Sequence, residues 1–187
     1  MASAFTHAFT GLALGKIFTG ASMPPRFWIL AAICGVLPDI DSVGFMLGVP
    51  YESLWGHRGL VHSLLFAFII GVAVTTLAFG DQAVLSGGWW QLVIFFFVVT
   101  ASHSVLDAMT TGGLGVAFFA PFNNTRYFFT VRPIRVSPIG IASFFSERGV
   151  RVITSELIWV WLPLALLAGF VMLGRQPRMF TNLGGGE

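Results

Sequence analysis

The sequence predicts an all-α, polytopic membrane bundle of about four to five transmembrane helices, with a long Gly/Pro-rich loop on the side that carries its ionisable residues. Two observations carry this expectation. Only 10% of the 187 residues are charged while 56% are hydrophobic, and long apolar runs recur at residues 27–37, 60–79, 89–105 and 153–173. Soluble domains present roughly a quarter charged residues to water, so a chain with ten Lys plus Arg and eight Asp plus Glu must present most of its surface to lipid. A mean hydropathy of +0.84 agrees and excludes a disordered chain. Twenty Phe and six Trp suit helices that pack in a bilayer and anchor at its interfaces. The length fits one domain, residues 1–187.

Residues 5–18 form a Gly- and Ala-rich apolar stretch, residues 21–25 interrupt it, and residues 27–37 are apolar again. The first 38 residues are therefore expected to form a helical hairpin that is shorter than the membrane. Runs 60–79 and 153–173 have the ~20 residues that a bilayer demands, and 89–105 reads as a further span. Between Met109 and Arg151, the residues Gly112, Gly113, Gly115, Pro121, Pro133 and Pro138 exclude a lipid-exposed helix, because the freed backbone groups would lack partners. A loop on one face is expected there, with a short hairpin around residues 127–136. The stretch 175–187, ending Gly184-Gly185-Gly186, reads as a disordered tail. Cys34 packs as a small hydrophobe within its apolar run. No basic residue precedes Lys16 and His7 interrupts the apolar stretch, so the N-terminus reads as mature fold rather than a secretory signal. Nine Arg and one Lys are scattered along the chain, which excludes a nucleic-acid-binding tract.

Following the passes back and forth brings the ionisable residues to one side of the membrane. His7 opens the first pass there, Asp39 and Asp41 close the second, and His57 and His62 precede the next. His103 and Asp107 then end the following span, and Glu156 begins the last. All four histidines and three of the four aspartates gather on this face, and ionisable groups held near spans mark a functional site.

Three motifs bear chemistry. In His103-Ser104-Val105-Leu106-Asp107 the outer residues stand at i and i+4, one helix face, the spacing that offers two ligands to a metal. The same spacing serves a polar contact or a cap. At the end of an apolar run, however, both groups need a partner that outweighs desolvation, and a dication supplies one. In Pro38-Asp39-Ile40-Asp41, one carboxylate is expected to bind a metal and the other to orient or accept a proton, with helix capping as the alternative. In His57-Arg58-Gly59-Leu60-Val61-His62-Ser63 the histidines are five apart, about 140° around a helix. They converge only if the helix begins near Gly59. His7 serves equally as an interior histidine, and Glu156 is expected to be a first-turn acid facing headgroups. Arg58, Arg126, Arg132 and Arg135 could grip a phosphate by paired hydrogen bonds, and headgroup anchoring accounts for them as well.

Together, His7-Ala8-Phe9-Thr10-Gly11, Leu37-Pro38-Asp39-Ile40-Asp41, the His57 to Ser63 motif, and His103-Ser104-Val105-Leu106-Asp107 with Thr110 and Gly112 resemble the YdjM-like family over about residues 3–165. That family is described as membrane-bound, metal-dependent hydrolases. It is distantly similar to the zinc-dependent phospholipase C and P1-type nuclease group, helical enzymes that hold clustered zinc with His and Asp, including a His-x-x-x-Asp on one helix. The resemblance implies that His103 and Asp107 are ligands, that Asp39 or Asp41 and His62 complete one site, and that Asp107 bridges to a second ion near His7. The resulting expectation assigns His7, Asp39, His62, His103 and Asp107 to metal, Asp41 and His57 to catalysis, and Arg58 and Arg126 to phosphate contact.

The phospholipase group carries further His and Glu ligands, whereas here no histidine follows His103, and Glu147 and Glu156 are the acids left before the tail. This argues against a three-zinc cluster and leaves one or two divalent ions, zinc by the resemblance. The implied protein is a multi-pass hydrolase of a prokaryotic inner or plasma membrane, acting at the membrane face on a lipid or phosphoester. Membrane lipids are its expected partners, without nucleic acid. Two alternatives stay open. One is a metal-independent lipid phosphatase with a histidine nucleophile, for which the chain lacks Lys-x6-Arg-Pro and Pro-Ser-Gly-His. The other is a non-enzymatic metal-binding membrane protein, although a transporter would hold its ligands at mid-membrane rather than at span ends.

Overall fold

A computed structural model describes residues 1–19, 22–138 and 140–175, so the expected tail, from residue 176 on, lies outside the described residues. Serine and proline set the helix starts. Ser3 begins α1 (Ala4–Phe18) by accepting from the Thr6 N–H, and Pro25 occupies the first turn of α2 (Pro25–Val36). Pro38 cannot donate a backbone hydrogen bond, and there the chain tightens into a 3₁₀ turn, Leu37–Ser42, before α3 (Val43–Met46). Ser63 caps α4 (Leu64–Ala78) through the Phe66 N–H, and Ser86 caps α5 (Gly87–Ala108) through the Trp89 N–H. After the long loop and the single turn α6 (Ile141–Phe144), Ser146 caps α7 (Glu147–Glu156). A π turn, Leu157–Trp161, then leads into α8 (Leu162–Gly174). These caps each satisfy a backbone donor that a helix start otherwise orphans. The π turn has a local cause, because Pro163 lacks the N–H that would bond within the preceding turn.

Five helical passes result. Pro25–Met46 and Gly87–Ala108, 22 residues each, and Glu147–Gly174, 28 residues, are long and apolar enough to cross a membrane, at ~33, ~33 and ~42 Å. α1 and α4 have 15 residues each, or ~22 Å. The expected span 60–79 is shortened because its first residues are diverted into a 3₁₀ turn, Leu60–His62. The last span starts earlier than expected, at Glu147.

α5 is the central helix, packed on α1, α2 and α4. Its Leu92, Phe95, Phe96 and Val99 form the core with Phe27, Ala31, Cys34 and Phe79. The last span packs on α1 and turns Leu157, Ile158, Trp159, Leu166 and Phe170 outward, where lipid lies. The helices α1 and α2 approach closely at glycines: a Cβ on Gly11 would strike the Ala31 carbonyl, and one on Gly35 would strike the His7 carbonyl. Gly35→Ala is therefore expected to cost about 1–3 kcal/mol by overpacking. It should also shift the Gly35 carbonyl that bonds His103, and a lower thermal unfolding temperature checks the cost.

The loop contains no hairpin over residues 127–136. Instead isolated bridges join Val116 to Tyr127 and Thr110 to Ile134, and the Phe129 N–H donates to the Ala108 carbonyl. The loop is thereby sewn back over the C-terminal end of α5, where the ionisable residues gather.

Candidate metal centre

Three local features aim the side chains inward. The 3₁₀ turn advances about 120° per residue, so Asp39 and Asp41 point to different groups: Asp39 to His103 and Asp41 to His57 and His62. The last turns of α5 present His103 and Asp107 on one face, and both are fully buried. Between His57 and His62, Arg58 adopts a left-handed φ of 64° and the 3₁₀ turn Leu60–His62 follows. That reversal brings the two imidazoles onto one carboxylate, with ring centroids 5.4 Å apart.

His103 Nδ1 donates to the Gly35 carbonyl at 2.8 Å, so in the neutral ring the lone pair sits on Nε2. Asp41 Oδ1 lies 2.6 Å from His57 Nδ1, and its Oδ2 lies 3.1 Å from His62 Nδ1 and accepts from the Arg58 N–H at 3.0 Å. Burial pushes the His62 imidazole down to about 4, so it is neutral at pH 7. Its Nδ1 is turned toward Asp41, and its Nε2 points inward. The two Nε2 atoms stand 3.1 Å apart. Asp39 Oδ1 is 3.3 Å from His103 Nε2, and Asp107 Oδ2 is 3.8 Å from His62 Nε2.

Two imidazole Nε2 atoms and two carboxylates thus face a common point. Donor atoms of Asp39, His62, His103 and Asp107 all lie within 4.8 Å of one another, a four-residue set that could hold a metal ion. Both Asp39 oxygens are buried without a hydrogen-bond partner, a costly state for a carboxylate that a dication would relieve. A second group, Asp41 with His57 and His62, meets the same 4.8 Å spacing. His7 stacks on His103 with centroids 3.6 Å apart and brings its Nε2 to 3.5 Å from Asp107 Oδ1. Neither of its ring nitrogens has a hydrogen-bond partner.

The family model for YdjM inner membrane proteins matches residues 1–178. The chain belongs to the YdjM inner membrane protein family. It is 36% identical over 176 residues to the inner membrane protein YbcI of Escherichia coli (strain K12), covering 94% of this chain and all of that one. No solved structure matches. With its apolar spans, this YdjM-family chain is a multi-pass membrane protein.

Other residues of this YdjM chain stand where the sequence did not place them. Arg58, expected at a phosphate, is fully buried and spends every guanidinium nitrogen internally. Its Nε donates to Asp107 Oδ2 at 2.8 Å, Nη1 to the Gly112 carbonyl at 2.8 Å and Nη2 to Thr110 Oγ1 at 2.9 Å. Gly113, at φ +89°, makes room for it, since a Cβ there would lie 2.6 Å from Arg58 Nη1. Arg126 likewise donates to the His57 and Tyr51 carbonyls at 2.9 and 2.8 Å, strapping that loop.

Glu156 does not face headgroups. It is fully buried and accepts from the Ser3 N–H, the Ser3 hydroxyl and the Thr6 hydroxyl. Trp161 Nε1 donates to the same Thr6 oxygen at 2.7 Å. The segment so clamped carries the Ala2 N–H, which donates to Asp107 Oδ1 at 2.7 Å. Glu156→Ala should cost about 1–3 kcal/mol through orphaned buried donors. Hydrogen exchange at the start of α1 would rise with it, and unchanged exchange there would contradict the clamp.

Proposed function

We propose that the protein is a membrane-embedded, metal-dependent hydrolase that acts at the membrane face, with zinc as the metal and a lipid or phosphoester as substrate. The observation that carries this is the convergence of the His62 and His103 Nε2 atoms with Asp39 and Asp107 in a buried cluster. Asp39, His62, His103 and Asp107 would hold the first ion, with His7 or the Asp41, His57 and His62 group serving a second. A divalent ion there supplies Lewis acidity and a means of activating water near neutral pH.

The chain's own residues supply the rest. Asp41 holds His57 by Nδ1, so the imidazole can take or give a proton at Nε2, the pairing used in acid–base catalysis. Asp41 also steers His62. A lipid substrate is supported by an apolar cavity of about 370 Å³ that has Asp39 in its wall, beside Ile33, Val36, Leu37 and Ile40. Ile33 and Ile40 are exposed on the outside of the bundle, so this approach to the cluster is from hydrocarbon. The distant likeness to zinc-dependent phospholipases and P1-type nucleases belongs to the same proposal.

Metal content of detergent-purified protein, measured beside His62→Ala and His103→Ala, tests the metal. Hydrolysis of short-chain phosphodiester and acyl-ester lipids, with and without chelator, tests the chemistry. Stoichiometric zinc lost in both variants and chelator-sensitive hydrolysis are expected. Absence of any retained transition metal would sink the reading. Vanadate-sensitive hydrolysis surviving chelation would favour the histidine-based phosphatase, and tightly held metal without hydrolysis would favour a non-enzymatic role.

A further inference from the structure

With Arg58 and Arg126 spent inside the protein, the remaining described arginines divide into two sets. Arg26 pairs with Asp81 at 3.2 Å, Arg132 lies over the Phe128 ring, and Arg175 donates to the carbonyls that end α1. Among the described residues Arg135, Arg148 and Arg151 have no ion pair and no hydrogen bond from their guanidiniums; Arg135 and Arg148 bond only through backbone N–H groups. All three line one cavity of about 320 Å³, together with Thr111, Val136 and Val152. Among the described residues no carboxylate is in its wall.

Three guanidiniums around one cavity repel one another, and a bound anion turns that repulsion into attraction. The planar fork of arginine matches phosphate oxygens two at a time, which a simple point charge does not. Arg148 and Arg151 stand in the first two turns of α7, where the N-terminal end of the helix dipole also favours an anion. The continuous exposed apolar run Leu157, Ile158 and Trp159 begins six positions after Arg151, with Val150 exposed beside the arginines; that offset is ~9 Å along the helix, which suits the headgroup layer flanking a hydrocarbon core.

We propose that Arg135, Arg148 and Arg151 form a binding site for a phosphate group, carried by the headgroup of an anionic phospholipid, at the membrane face and apart from the metal centre. The site does not rest on the hydrolase reading and stands whether or not the cluster holds metal. It would seat a lipid at the protein's edge and tie the loop, through Arg135, to α7.

The test is equilibrium binding of dihexanoyl phosphatidic acid to the purified full chain, against dihexanoylglycerol and inorganic phosphate. Wild type is compared with the triple variants R135Q/R148Q/R151Q and R135K/R148K/R151K. The three side chains are exposed, so thermal unfolding and metal content should match wild type. The expected results are preference for phosphatidic acid over dihexanoylglycerol, at least tenfold weaker binding in the glutamine variant, and incomplete recovery in the lysine variant. Equal binding by wild type and the glutamine variant would overturn the site. Full recovery by lysine would overturn it too, by reducing it to a diffuse positive surface. Inorganic phosphate competing at the concentration of the lipid would overturn the headgroup assignment in favour of a soluble phosphate.

Discussion

Asp107→Ala is expected to destabilise the protein by about 3–5 kcal/mol, even in chelator-treated protein. The reason is what the carboxylate holds besides any ion. Its Oδ2 accepts from Arg58 Nε at 2.8 Å and its Oδ1 accepts from the Ala2 N–H at 2.7 Å, all within a fully buried setting. Removing the carboxylate leaves a guanidinium that cannot shed its proton. Arg58 would then be a buried charge with only the Gly112 carbonyl and Thr110 hydroxyl as partners. The double variant Arg58→Met/Asp107→Leu removes both charges while filling their space, and apolar replacement of a buried pair is often close to neutral. It should recover most of the lost stability and still bind no metal through residue 107. Thermal unfolding of chelator-treated protein in detergent makes the comparison. A single variant within about 1 kcal/mol of the parent would show that Asp107 is not the counter-ion of Arg58, against a cost of several kcal/mol for breaking such a pair.

The gathering of the site could be read from the sequence because it follows from counting passes. Once each apolar run is taken as one crossing, His7, Asp39, Asp41, His57, His62, His103 and Asp107 must share a face, whatever the helix packing. The structure brings these side chains together. The pairings within the face were not legible, since they depend on single dihedrals. Arg58 shows this: its positive φ turns the guanidinium under the loop instead of out to a headgroup, and a lone Arg beside Gly59 does not announce that. Glu156 left a fainter signal. Its i−4 and i+4 neighbours, Val152 and Val160, are both buried, so all three lie on the inward stripe. Almost every residue after Glu156 is apolar, however, and the stripe is masked where the helix faces lipid. The loop was misread for a related reason. Its Gly and Pro residues exclude a helix but do not say which strand-like segments meet, and Tyr127 pairs with Val116 rather than within a local hairpin.

If the proposed zinc site is right, Asp41→Asn and His103→Ala should separate the group that orients a ligand from the ligand itself. His103 offers its free Nε2 to the common point, so its loss should remove stoichiometric zinc outright. Asp41 stands one layer back: it faces His62 Nδ1 at 3.1 Å and binds His57 Nδ1 at 2.6 Å. An asparagine there keeps the size but gives up the charge that faces His62 Nδ1. Loss of such a partner typically weakens metal affinity roughly 10–100-fold, so Asp41→Asn should still bind zinc, but more weakly. His57→Ala should keep affinity close to wild type while lowering any hydrolytic rate. Zinc dissociation constants from competition with a chromophoric chelator rank the three. If Asp41→Asn and His57→Ala proved as damaging as His103→Ala, the ion would belong to the Asp41, His57 and His62 group instead. The orphaned oxygens of Asp39 would then need another partner.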